Sequence, residues 1–224
     1  MKWFSVLLLI GLAACGRELS ISETRFLSTV HGDTIATRPI RIHDGALIGA
    51  FPITRPARPW VTCRERIFPQ ETQDEIETSI FGVVLGNHMF VAQKFFSEDF
   101  LAGYPDALPL AQAMIVAHEM THVWQWQNRA TTGYAPWKAA TEHAVTDDPY
   151  LFDVEDRDLL DYPYEQQASL IEEFVCCRAL DPEGARTDRL HSMLSRHFPN
   201  LPRRSEAGRI IVPWNGVEPK GICS

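Results

Sequence analysis

The sequence has no surplus of positive charge: of its 224 residues, 21 are Lys or Arg and 29 are Asp or Glu, a formal net charge of −8. A surface that tracks nucleic-acid phosphates is excluded as the default, and no nucleic-acid partner is expected. Internal repeats and low-complexity tracts are missing, which excludes a solenoid. No CxxC…CxxC pattern occurs, so there is no zinc ribbon, and five cysteines are too few for a disulfide miniprotein. Nor is there an apolar run of the ~20 residues that a membrane-spanning helix needs. What the chain does have is 45% hydrophobic and 10% aromatic content. That suffices for one sizeable core, expected as a single domain over 31–224.

The first residues read as a leader. Lys2, the apolar stretch Val6–Leu12 and the small pair Ala13-Ala14 form a signal peptide over 1–14. Leu12-Ala13-Ala14-Cys15 resembles the lipobox of bacterial lipoproteins, whose cysteine is acylated and becomes the mature N-terminus. The resemblance implies a lipid anchor at Cys15, and Gly16 in place of Asp implies transit to the periplasmic face of the outer membrane. Residues 15–30 are then expected as a polar tether. Removing 1–14 leaves four further cysteines, Cys63, Cys176, Cys177 and Cys223, an even number suited to disulfides in an oxidising compartment. Neighbours in a helix do not bridge each other, so Cys176 and Cys177 are each expected to pair with Cys63 or Cys223.

Along the body, Thr34–Phe51 alternates loosely between apolar and polar residues and predicts one or two short strands. The proline-rich stretch Phe51–Trp60 predicts a loop, because proline has no amide proton for a ladder. Val61–Phe68 and Phe81–Phe95 carry β-branched and aromatic residues and predict strands, with Gly86-Asn87 as a turn. From Pro109 the apolar positions take a helical period, and inside that helix stands His118-Glu119-Met120-Thr121-His122. Residues four apart share a helical face, so both imidazoles of this HExxH pattern can reach one zinc ion. Glu119, rotated by about 100° from His118, can lean over an open coordination site as general base. With 8 His and 16 Glu in the chain, random placement would produce the pattern roughly 0.02 times.

The third ligand distinguishes the possible sites. The extended HExxHxxGxxH pattern fails, since Gln125 and Asn128 stand where Gly and His are required, and a metzincin is excluded. A carboxylate from a second helix is the alternative. Glu165, at the helix start Tyr162–Ser169, is the first choice, with Ala168 one turn on permitting close packing. Glu172 is a competitor or an imidazole partner, and His143 would make a three-histidine site. Glu173 reads as a solvated helix face. His31, His43, His191 and His197 read as surface or core residues, and His88 is left open.

Gly86-Asn87-His88-Met89-Phe90-Val91 followed by Ala117-His118-Glu119-Met120-Thr121-His122-Val123-Trp124-Gln125 resembles the strand-then-helix core of gluzincin-type metallopeptidases. The resemblance, over roughly 80–180, is nearest to the zincin-like domain of proteins associated with bacterial extracellular contractile injection systems. It implies an α+β zincin-like fold, a small mixed sheet packed on the HExxH helix and a glutamate-bearing second helix. It also implies Zn2+, with His118, His122 and Glu165 as ligands and Glu119 as general base and later general acid. One departure is Ser169, where the family often has Asp. Tyr134, His143, Tyr162 and Tyr164 are the candidate oxyanion donors.

Residues 142–161 are strongly acidic, with Arg157 the one basic residue among them, and read as a solvated loop; the spacing of a calcium loop is absent. Of Trp124 and Trp126, which point in different directions, one is expected to be exposed. The expected function is zinc-dependent hydrolysis of protein or peptide substrates by a lipid-anchored chain. The alternatives are a catalytically silent zincin-fold lipoprotein acting as scaffold or binding module, and hydrolysis of peptidoglycan stem peptides.

Overall fold

The computed structural model describes residues 16–224; the expected signal peptide over 1–14 and Cys15 lie outside the described residues. Helix α1 (Ile21–Ser28) opens on a capping box, in which Ser20 Oγ accepts from the Glu23 amide and the Glu23 carboxylate accepts from the Ser20 amide. Strand β1 (Arg41–Gly45), strand β2 (Ile53–Pro56), the one-turn helix α2 (Cys63–Arg66) and strand β3 (Glu75–Thr78) follow. Strands β4 (Gly82–Leu85), β5 (His88–Ala92) and β6 (Leu108–Pro109) complete the first half. The second half is helical: α3 (Leu110–Gln127), α4 (Arg129–Thr132), α5 (Pro136–Val145), α6 (Tyr164–Leu180) and α7 (Ala185–Leu194), with β7 (Ile210–Ile211) in the tail. The class is mixed α+β with small sheets.

The principal sheet has the order β1-β5-β4, with β1 parallel and β4 antiparallel to β5. A two-residue turn at Gly86-Asn87 joins β4 to β5, and Gly86 has a φ of 66°, which glycine adopts without strain. A Cβ there would also press on the Trp126 indole at 3.2 Å. The hairpin is fastened to the end of α3, since Gln127 Nε2 donates to Asn87 Oδ1 at 2.9 Å. One face of the sheet supplies Ile42, Val84, Met89 and Val91 to the core. Helix α3 packs on β4 and along α6, and the two helices are buried around most of their circumference.

Helix α6 also gathers the periphery. Its Cys176 is bridged to Cys63 of α2 and its Cys177 to Cys223 of the tail, so the expected pairing holds and an irregular C-terminus is pinned to the core. Between the bridges lies Glu173, fully buried, whose carboxylate accepts from the amides of Cys63 and Arg64 at 2.9 and 3.0 Å and pairs with Arg186 at 3.0 Å.

Four expectations are corrected. Glu173 is a buried cap for α2 and not a solvated residue, because its tertiary partners lie on α2 and α7. Val61–Phe68 is not a strand: the Glu173 carboxylate and the Cys63 bridge favour a helical turn at 63–66. Residues 15–30 are not a tether where they are described, since α1 buries Glu23, Phe26 and Leu27. The proline-rich stretch is not all loop, for Ile53–Pro56 pairs with Glu75–Thr78 in a two-stranded ribbon, and Pro56 sits at its end.

Replacing Glu173 with alanine leaves Arg186 without its partner and two α2 amides uncapped, and is expected to lower unfolding free energy by about 3–5 kcal/mol in urea titrations of the oxidised chain. A second expectation concerns His31, buried against α3 with Nε2 3.0 Å from Thr121 Oγ1. Burial, then the Arg178 charge, push its pKa down from 6.5 to about 3. The folded chain keeps this ring neutral while the unfolded chain binds a proton, so stability is lost as pH falls from about 6.5 towards 3. His31→Gln is expected to flatten that part of the stability–pH curve measured by thermal melts.

Candidate metal centre

One turn of α3 places His118 and His122 side by side, with ring centroids 5.1 Å apart and planes nearly perpendicular. From α6, Glu165 turns its Oε2 between them, 3.3 Å from Nε2 of His118 and 3.3 Å from Nε2 of His122. That separation is the edge of a tetrahedron whose centre-to-vertex bonds are about 2.0–2.1 Å, the length of zinc bonds to nitrogen and oxygen. All three residues are buried, at 6–8% exposure.

Each of these groups is held by a neighbour. His122 Nδ1–H donates to Gln125 Oε1 at 2.9 Å, which leaves Nε2 with its lone pair towards Glu165. Gln125 is fixed in turn by donating to Tyr164 O and to Gln167 Oε1. His118 Nδ1 contacts Glu172 Oε2 at 3.3 Å, off the hydrogen-bond axis, and Glu172 also faces Arg64 at 3.4 Å. His143 Nε2–H donates to Glu165 Oε1 at 3.1 Å, so His143 engages the outer oxygen of that carboxylate and leaves the inner one free. Glu142 caps α6 with both carboxylate oxygens, accepting from the amides of Tyr164 and Glu165 at 2.9 and 3.0 Å.

The charge balance of this seam fits a divalent cation. Three carboxylates, Glu119, Glu165 and Glu172, lie among groups largely removed from water, and the nearest guanidinium, that of Arg64, is 3.4 Å from Glu172 but already paired with Glu65 at 2.8 Å. With neutral imidazoles the negative charge of this seam is incompletely compensated, an expensive state in a buried site. The bare chain responds by binding protons. Burial pulls the His118 imidazole down, but the neighbouring Glu165 and Glu172 carboxylates outweigh it and push the ring up to about 10. Burial opposes ionisation of Glu165 as well, yet the His122 charge and the imidazole hydrogen bonds hold it well below the usual carboxylate range. Glu119 is pushed up by burial, against the pull of His118 and His122, and among the described residues nothing hydrogen-bonds its carboxylate. A dication held by His118, His122 and Glu165 would supply the missing charge without those protons.

The other sequence candidates are distributed as follows. Tyr162 donates to Asp153 O, and Tyr164 lies 3.5 Å from Thr132 O, so both hydroxyls are engaged elsewhere. Tyr134 is buried beside His122 with its ring 6.3 Å away, and burial pushes its phenol up. Tyr150, which sequence reasoning missed, stands 5.6 Å from the His118 ring and 5.5 Å from the His143 ring. Gln125 was also missed as a partner of His122, although its place three residues on was a readable signal. Ser169 is buried with its hydroxyl unpaired among the described residues, and Glu172 occupies the partner position at His118. Trp124 is buried and Trp126 half-buried under Arg129. The acidic segment is partly structural, with Asp148 paired to Arg58 and Asp158 to His197.

A cavity of about 360 Å3 adjoins the seam, reaching Glu172 past Arg64, Arg58 and Trp60. The sulfurs of Cys63, Cys177 and Cys223 also cluster within 4.8 Å, but both bridges consume them and no thiolate is left for a metal.

No family model and no curated protein matches the sequence. Among solved structures, the chain is similar to the effector domain of Pseudomonas aeruginosa VgrG2b, at 21% identity over 84% of this chain and 85% of that one, with a TM-score of 0.47.

Gln125→Ala frees the His122 ring to rotate and is expected to weaken zinc binding about 10–100-fold in chelator competition, with little change in secondary structure by circular dichroism.

Proposed function

We propose that the chain is a zinc-dependent metallopeptidase with a zincin-like fold, carried on a lipid anchor at Cys15 at the periplasmic face of the outer membrane. The observation that carries this reading is the convergence of His118 Nε2, His122 Nε2 and Glu165 Oε2 beside the unpaired carboxylate of Glu119. Zinc held there would supply Lewis acidity, polarising a carbonyl oxygen and acidifying water.

The chain's own groups account for the rest. Glu119 takes the proton from the water that attacks the carbonyl carbon, and returns it to the departing amide nitrogen as the C–N bond breaks. Burial, which raises its affinity for a proton, suits that relay. His143 holds the outer oxygen of Glu165 and Glu142 accepts from its backbone amide, so the ligand keeps its place while the proton moves. Tyr134 and Tyr150 stand beside the imidazoles with hydroxyls that hydrogen-bond nothing else among the described residues, which suits donation to a developing oxyanion. The two disulfides suit an oxidising periplasm. Among the described residues no helix is long and apolar enough to cross a membrane, so attachment in this reading rests on Cys15.

The test compares the full chain with His118→Ala, Glu165→Ala and Glu119→Gln for bound zinc and for cleavage of an unstructured protein. Expected are one zinc per chain, lost with His118→Ala and Glu165→Ala but kept in Glu119→Gln, and cleavage lowered about 10²–10⁴-fold in Glu119→Gln. Zinc without cleavage in the wild type would instead favour a silent scaffold, and no zinc would overturn the proposal.

A further inference from the structure

We infer that the outer face of the β1-β5-β4 sheet is a membrane-seating surface, lying on the lipid bilayer to which Cys15 is joined. The inference rests on the acylation of Cys15 proposed above and adds to it where on the fold the lipid lies.

Strand alternation sends Ile42, Val84, Met89 and Val91 to the core, so Val83, Leu85, His88 and Phe90 point the other way, together with His43, which is itself buried beneath Gly16. The register sets Val83 opposite Phe90 and Leu85 opposite His88. His43 stacks on Phe90 at 4.6 Å and hydrogen-bonds His88 at 2.9 Å, which knits the face into one layer. None of these outward positions carries a carboxylate, in a chain whose net charge is −8, and Arg41 at the rim is paired with Glu18. Val83 and Leu85 are 39% and 51% exposed. The loop after β1 extends the apolar surface: Gly49 packs on the Ile80 carbonyl and Ala92 at the end of this sheet, and the adjacent Leu47 and Phe51 are 88% and 83% exposed. An apolar surface of this kind beside a polar rim marks an interface.

The position of the chain's anchor end selects the occupant. Arg17 pairs with Ile42 through two backbone hydrogen bonds of 2.8 Å, as an extra strand at the β1 edge. Its guanidinium is locked by the buried Glu23 carboxylate and by Ser97 O. Gly16 lies against the His43 ring so closely that a Cβ would meet it at 2.5 Å. Residue 15 is one peptide, about 3.8 Å between Cα atoms, beyond that contact. There is no slack chain between an acyl group on Cys15 and this face, so the bilayer that receives the acyl chains meets the sheet. Helix α3 packs on the inner side of the same sheet, which puts the sheet between the lipid and the helices of the metal centre.

The experiment uses the full acylated chain in phosphatidylethanolamine–phosphatidylglycerol vesicles, with nitroxide labels introduced singly through Leu85→Cys, Leu47→Cys and, as a control on α5, Trp137→Cys, which is 67% exposed. Collision with oxygen, which partitions into lipid, is compared with collision with a water-soluble nickel chelate, and intact mass reports the acyl group. The expected result is an acylated chain whose labels at 85 and 47 shift towards oxygen while the label at 137 stays accessible to nickel. An acylated chain in which all three labels meet nickel equally overturns the seating surface and leaves the anchor standing. Labels at 85 and 47 shielded from both reagents would show a protein covering the face and overturn it too. A chain without acyl mass overturns the anchor and the seating surface together.

Discussion

The seam between α3 and α6 depends on one carboxylate, that of Glu165, held between two buried helices. Its inner oxygen faces both imidazoles of α3, its outer oxygen accepts from His143, and the amide of its own residue is capped by Glu142. Such a group is costly to bury, and it is tolerated because three imidazoles converge on it. The requirement explains features that look unrelated: why α5 delivers two consecutive residues, Glu142 and His143, to the same place, and why α6 begins where it does. It also explains why Gln125 is buried in the last turn of α3, where it fixes His122 and ties α3 to the first turn of α6.

The remaining architecture keeps α6 immobile against α3. Two disulfides and the buried Glu173 join α6 to α2, α7 and the tail, and Arg178 at its far end donates to Thr29 beside α1. On the other side of α3, the Gly86-Asn87 hairpin is fastened through Gln127. A candidate ligand set split between two helices is only as precise as the packing of those helices, and here the packing is cross-linked covalently, electrostatically and by hydrogen bonds. The same economy of slack appears at the other end of the chain, where Arg17 and Gly16 are bound to the sheet edge.

What the sequence made legible was what is local. HExxH announces itself because two imidazoles four residues apart share a helical face, and Glu165 stood out because it opens the next long helix with a small residue one turn on. The β4–β5 turn was readable from Gly86-Asn87. What escaped was decided by distant partners. Nothing near Glu173 signals that its carboxylate caps a helix 110 residues away, and nothing in Val61–Phe68 signals that a bridge and that cap would turn β-prone residues into a helical turn. Tyr150 reaches the candidate metal centre from an irregular segment in which no period operates. Two local signals run the other way: Ser20-x-x-Glu23 is a capping box that marks α1 within residues 15–30, and Gln125, which breaks the extended pattern where glycine is required, stands three residues from His122 as a hydrogen-bond acceptor.

The central claim is that these side chains form a zinc centre, and anomalous diffraction from crystals of the zinc-treated protein at the zinc edge tests it most directly. The account requires a single strong peak in the seam between α3 and α6, about 2.0–2.2 Å from His118 Nε2, His122 Nε2 and one Glu165 oxygen. A peak elsewhere, or none at His118, His122 and Glu165 in a folded chain, would contradict it.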